Sequence, residues 1–185
     1  SISIDAEGRI WVVPDGGDRA LLRPFIEAAR ALAGEGARAI TTSCGFLVRW
    51  QSELQPAVPV PVWTSSLLAL PALKAPGVLT VAAGHLGAVE LRAAGARADT
   101  PVEGLTDGCA LQRTLLRDLP ELDGAEAEAE TVAAARRLVA RHPEVRSVVL
   151  ECTNLPPYAE AVRQAVGRPV HHLMTLVHER WKHLP

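Results

Sequence analysis

Ala39-Ile40-Thr41-Thr42-Ser43-Cys44 and Val148-Val149-Leu150-Glu151-Cys152 are the two stretches whose reading decides the fold. Each is an apolar run closed by a cysteine. In both, twelve residues separate the cysteine from an Ala-Val pair, Ala57-Val58 in the first and Ala165-Val166 in the second. A Pro-Val follows after two more, Pro61-Val62 and Pro169-Val170. A helix-like stretch fills each interval. The repetition predicts two related half-domains, each offering one thiol from the same place in its fold. Two thiols facing each other across a pocket can handle a proton from both sides of one carbon.

Outward from the cysteines, strands alternate with helices. Strands are expected at residues 9–13, 37–41, 58–63, 77–82, 145–150 and 169–170, with 98–105 extended. Helices are expected at 20–33, 45–54, 67–73, 85–94, 108–116, 121–141, 156–166 and 173–181. In the first helix Leu22, Phe25, Ile26, Ala29 and Leu32 share one face, behind Asp18 as N-cap and ahead of Gly34 and Gly36. Residues 121–141 lead with acids and trail with arginines, as the helix dipole favours. The run Glu126, Glu128, Glu130 there reads as a solvated face. The alternation implies βαβ units, parallel sheets and right-handed crossovers, an α/β fold. Ligands in such folds bind beyond the carboxyl ends of strands, where Cys44 and Cys152 both lie.

Bulk composition narrows the function. The chain has 185 residues, 48 % of them hydrophobic, enough for one large domain or two small ones. The formal charge is −2 with Lys and Arg scattered, so no nucleic-acid partner is expected. No apolar run approaches the ~20 residues of a membrane span, and no signal-peptide pattern opens the chain. Three cysteines without a Cys-x-x-Cys pair argue against a secreted disulfide framework and for a cytoplasmic location. The chain starts at Ser1 and its only methionine is Met174, so its start reads as trimmed or processed.

A residue just after a strand and just before a helix lies near unpaired backbone N–H groups, which favour an anion. A thiol there is expected to have its pKa lowered toward neutrality, and the same groups can hold a substrate carboxylate. Thr42, Ser43 and Gly45 bracket one cysteine, and Thr153 and Asn154 the other, all suited to a tight carboxylate-binding turn. Cys109 has no counterpart in the repeat and reads as structural. Cys44, Cys152, His171 and His172 are the available soft metal ligands, but neither cysteine has a ligand partner at short spacing, so no metal is expected. His178 and His183, five residues apart, read as surface histidines, and His85 and His142 as structural or exposed. Arg49 and Arg163 follow the cysteines as solvated charges or specificity residues.

At these residues the chain resembles the aspartate/glutamate/hydantoin racemase superfamily. The carrying motifs are Thr41-Thr42-Ser43-Cys44-Gly45-Phe46-Leu47, Pro61-Val62-Trp63-Thr64-Ser65-Ser66, Glu151-Cys152-Thr153-Asn154-Leu155-Pro156-Pro157 and Pro169-Val170-His171-His172-Leu173-Met174-Thr175-Leu176. The resemblance implies two pseudo-symmetric lobes with parallel sheets flanked by helices and the pocket between them. It places residues 1–73 with about 171–185 in the first lobe and 77–170 in the second, residues 74–76 crossing over. It implies a racemase or epimerase of an amino acid or related small carboxylic acid: Cys44 or Cys152 as thiolate takes the α-proton, and the other as thiol protonates the opposite face. No cofactor is implied. Thr42, Ser43, Gly45, Ser65, Thr153, Asn154 and His172 are the expected substrate-binding residues.

The sequence departs from that family in places. The opening strand and polar loop of the family have no counterpart ahead of residues 9–13, and Asp5 or Asp15 would have to substitute. A shortened first lobe exposes a sheet edge, which a homodimer would cover. Asn154 stands where relatives carry a histidine, and His171-His172 where they carry an acid. Two further readings follow: a cysteine-dependent isomerase or decarboxylase of a small diacid on the same fold, or a degenerate homologue that only binds a small acid.

Overall fold

The computed structural model describes residues 21–184 in full, and residues 2–4 and 10–12 as backbone. Asp5, Asp15 and Asp18 lie outside the described residues. Strands β1 (Ile2–Ile4) and β2 (Ile10–Val12) pair antiparallel as a ribbon of their own. Two parallel sheets follow, flanked by helices. The first is β3 (Ile40–Thr41) beside β4 (Val62–Trp63). The second has the order β6-β5-β7-β8, from β5 (Pro76–Thr80), β6 (Val102–Gly104), β7 (Ser147–Leu150) and β8 (Val170–His171).

The sequence repeat reappears as one register. Ile40 pairs with Val62, and Val148 with Val170. Ile40 and Val148 each stand four residues before their cysteine, and each partner lies twenty-two residues further on. The two thiols therefore leave equivalent strands at equivalent points. Strand β7 is buried along its whole length, as a central parallel strand must be.

Seven α-helices are described: α1 (Leu22–Gly34), α2 (Gln51–Leu54), α3 (Ala88–Ala93), α4 (Ala110–Arg117), α5 (Gly124–Arg141), α6 (Ala159–Val166) and α7 (Leu173–Trp181). The stretch after Cys44 is tighter than the α-helix expected at 45–54: a 3-10 segment, Gly45–Trp50, precedes the single turn of α2. The stretch expected to be helical at 67–73 is also 3-10, Ser66–Ala72, with Pro71 inside it. Helix α5 begins later than the charge pattern suggested, because the Asp123 carboxylate accepts the amides of Ala125 and Glu126 and caps it. Helix α6 ends where Gly167 turns left-handed, at φ +61°.

Glu130 corrects the expectation of a solvated acidic face. Its carboxylate accepts the amides of Ala110 (2.7 Å) and Leu111 (2.9 Å) and so caps α4 from a neighbouring helix. Cys109 stands just before α4 and packs half-buried on the core under the second sheet.

Apolar packing joins the two sheets. Val48, Leu67 and Leu70, from the segments around the first sheet, cluster with Val78, Leu91 and Val149 from the second. Helix α7 returns to the first sheet, packing Leu173 and Leu176 on Trp63 and Ala69. The Arg180 guanidinium donates to the Leu68 carbonyl, and the Arg38 guanidinium lies 5.3 Å from the ring centroid of Trp181.

Candidate active site

Cys44 leaves β3 and Cys152 leaves β7, and the loops that carry them touch. The Thr153 hydroxyl donates to the Ser43 carbonyl at 2.6 Å, one cysteine loop to the other. Ser66, buried, donates to the Leu150 carbonyl at 2.8 Å, one residue before the second motif. Gly45 meets Glu151 so closely that a Cβ there would lie 2.1 Å from the Glu151 Oε1 and 2.7 Å from its carbonyl oxygen. A glycine is therefore required at position 45 for a reason of space. The two thiols are near enough that ionised Cys44 would oppose ionisation of Cys152.

Both thiols are harder to ionise than their position at strand ends suggested. Burial first, and the charge of Glu151 second, push Cys44 up to about 11. The amides of Phe46 and Leu47 favour its thiolate, as a turn should, but are outweighed. Burial and Glu151 likewise push Cys152 up to about 12, against the Asn154 amide and side chain. The Asn154 Nδ2 donates to the Cys152 sulfur at 3.6 Å. The expected lowering toward neutrality is thus corrected: the turn amides are present, and desolvation exceeds them.

Glu151 is the site residue whose part the sequence did not disclose. It is 2 % exposed, and its carboxyl is pushed up to about 7 by burial, with the charge of Glu90 adding to the shift. Its Oε2 accepts from the Thr80 hydroxyl at 2.8 Å, while its buried Oε1 has no partner. The one signal in the sequence was an acid placed directly on the end of an unbroken apolar strand.

The remaining expected site residues divide. Thr42 donates to the Thr64 carbonyl at 2.6 Å and ties the ends of β3 and β4 together. Ser65 is buried, and its hydroxyl oxygen accepts the Leu67 amide, capping the 3-10 segment. His172 starts α7 at the end of β8, beside the strand that delivers Cys152. It is half-buried with an unpartnered Nδ1, and burial holds it below the usual imidazole range. Arg49 is bound to the buried carboxylate of Glu90 and is not a solvated charge, whereas Arg163 forms an exposed pair with Glu160.

A cavity of about 230 Å³ lies beside Cys44; among the described residues its lining comes from the first sheet and its flanking helices, without Glu151 or Cys152. Thr42, Ser43 and Cys44 form its polar end, and Phe25, Leu32, Leu47 and Val62 part of its apolar wall. Among the described residues, no charged side chain lines it. Among the described residues, no group of three or more His, Cys, Asp or Glu could hold a metal ion, and no helix is long and apolar enough to cross a membrane.

No family model matches the chain. By sequence it is similar to a dimethylsulfoniopropionate lyase of Durusdinium sp. clade D, 29 % identical over 153 residues, covering 74 % of this chain and 49 % of that protein. It is also similar to dimethylsulfoniopropionate lyase 7 of Emiliania huxleyi (strain CCMP1516), 29 % identical over 171 residues, 82 % of this chain and 49 % of that one. The chain thus spans about half the length of these curated relatives. By structure it is similar to allantoin racemase from Klebsiella pneumoniae, with TM-score 0.61, 15 % identity, and 86 % and 64 % of the two chains covered. Arylmalonate decarboxylase superposes with TM-score 0.58 and 19 % identity over 83 % and 71 % of the chains. An aspartate racemase homologue from Pyrococcus horikoshii OT3 superposes with TM-score 0.50 and 19 % identity over 85 % and 70 %.

Proposed function

On the fold of the aspartate/glutamate/hydantoin racemase superfamily, which this chain has, we propose that Cys44 and Cys152 transfer protons at the α-carbon of a small carboxylic acid. The observation that carries the reading is that two cysteines leave equivalent strand ends on loops bonded to each other through Thr153 and Ser43. The turn amides of Phe46 and Leu47 and the polar end of the cavity supply the place for the carboxylate. A carbon next to a carboxylate is a very weak acid, so the base must be aimed and the developing charge met by fixed donors. Two bases on opposite faces give inversion, the racemase or epimerase outcome. A cytoplasmic location, in keeping with three cysteines that form no disulfide, and a homodimer covering the outer edge of β3 belong to the same proposal.

A second outcome of the same deprotonation is favoured by the sequence relatives, which are named as lyases of a β-sulfonium propionate. There the thiolate takes one α-hydrogen and the C–H electron pair becomes the C=C bond. The C–S bond breaks with its electrons on sulfur, dimethyl sulfide leaves, acrylate remains, and the thiol returns its proton to solvent. The apolar cavity suits the two methyl groups, and the Phe25 ring on its wall suits a sulfonium cation.

The test is a panel on the full chain: dimethylsulfoniopropionate, D- and L-aspartate, and phenylmalonate, read by sulfide release, optical rotation and carbon dioxide. The reading expects one acid to be converted, with no covalent adduct on either cysteine by mass spectrometry. A trapped carbon–sulfur adduct would make the cysteine a nucleophile and overturn it.

A further inference from the structure

We propose that Glu151 is a positioning residue for the cysteine pair: its carboxyl, sealed between the loops of Cys44 and Cys152, sets by its charge how readily either thiol releases its proton. The proposal rests on the two-thiol reading only in supposing that the thiols must ionise.

Placement is the first ground. Glu151 adjoins Cys152 in the chain, and its carboxyl occupies the space where position 45, adjoining Cys44, has no side chain. No solvent reaches it to disperse a charge, since it is 2 % exposed. Among the described residues, Thr80 satisfies one oxygen and nothing satisfies the other. A carboxylate with a full set of donors would be content as an anion. One with a single neutral donor in a buried site is poised between its two states. The buried carboxyl of Glu151 thus lies between the loops of two half-buried thiols, Cys44 and Cys152. A negative charge on Glu151 opposes a second one on either thiol, in addition to the effect of burial.

The other charge that bears on the Glu151 carboxyl is Glu90 on α3, itself bound to Arg49 from the segment after Cys44. That ion pair is closed on itself, with the Gly87 amide as a further donor to Glu90. It supplies no cation to Glu151. The ionisation of Glu151 therefore falls on the thiols, and both feel it in the same direction.

The test measures alkylation of each cysteine by iodoacetamide against pH, by peptide mass spectrometry, in the full chain. Cys109, whose carboxylate neighbour is Glu130, is the internal reference. In Glu151→Gln the alkylation midpoints of Cys44 and Cys152 should fall by about one pH unit or more, a roughly tenfold faster reaction at a given pH below them. Cys109 should not move. Glu151→Met, uncharged and of similar length, should shift both midpoints the same way. This second variant keeps the test decisive if Glu151→Gln fails to fold. Unmoved or raised midpoints for Cys44 and Cys152 in the folded variants would overturn the proposal. Alkylation requires no turnover. A chain that shows the shift and converts no acid retains this inference and loses the proton-transfer reading, and the reverse result separates them equally.

Discussion

At the scale of single residues, a dry carboxyl makes stability depend on pH in an unusual sense. Glu151 is raised from 4.5 to about 7 by burial. Between those values the unfolded chain has lost the proton and the folded chain keeps it. Its stabilising contribution is therefore complete below the unfolded value and lost as pH rises through the folded one. A shift of this size corresponds to about 3 kcal/mol. Relative to the parent, Glu151→Gln should gain about that much stability between pH 4 and pH 8 in urea unfolding. A difference that stays flat with pH would show that Glu151 does not titrate in this range. The equivalent placement of the two cysteines was legible in the sequence because their spacing repeats. The part of Glu151 was not, because it depends on Gly45 and Thr80, which arrive from other elements.

At the scale of elements, near neighbours in sequence set the helix ends, a signal that the expected helix at 121–141 did not use. Asp123 caps α5 two and three residues ahead, and Gly167 closes α6, both as chain-local chemistry dictates. Glu130 escaped the same reasoning because the amides it binds lie nineteen and twenty residues earlier. In sequence it is one of three alternating acids, and only packing of α5 against α4 gives it a different task. Its removal is a direct check. Glu130→Ala leaves two amides at the start of α4 without their acceptor and should lower stability by about 1–2 kcal/mol in urea unfolding. Glu126→Ala, a control on the exposed face, should stay within about 0.5 kcal/mol. Strands β3 and β4 were read too long for a related reason. Apolar runs mark burial, whereas ladder pairing extends over only two residues of each.

At the scale of the whole molecule, the junction between the sheets is held by a few buried polar ties within an apolar seam. Arg49, from the segment after Cys44, binds Glu90 on α3 beside the second sheet, and the Glu90 side chain is 4 % exposed. Arg49→Ala should leave that carboxylate buried and uncompensated, lowering stability by about 3–5 kcal/mol. Arg49→Met with Glu90→Leu should recover most of it in the same unfolding measurement, since the pair is replaced rather than broken. The two-lobed α/β plan was legible because the repeat fixed two equivalent strand pairs, and the crossing register is the same in both. What each thiol does to a proton is the central claim, and it can be watched directly. In deuterium oxide, proton NMR of the α-hydrogens of dimethylsulfoniopropionate and of D- and L-aspartate would follow it for the native chain and for Cys44→Ser and Cys152→Ser. The native chain should consume or exchange the α-hydrogen of one of these acids, and each substitution should slow this by on the order of a hundredfold or more. For a chiral acid, inversion should vanish in both variants, with exchange left on one enantiomer at most. Native rates in both variants would contradict proton transfer by the two thiols.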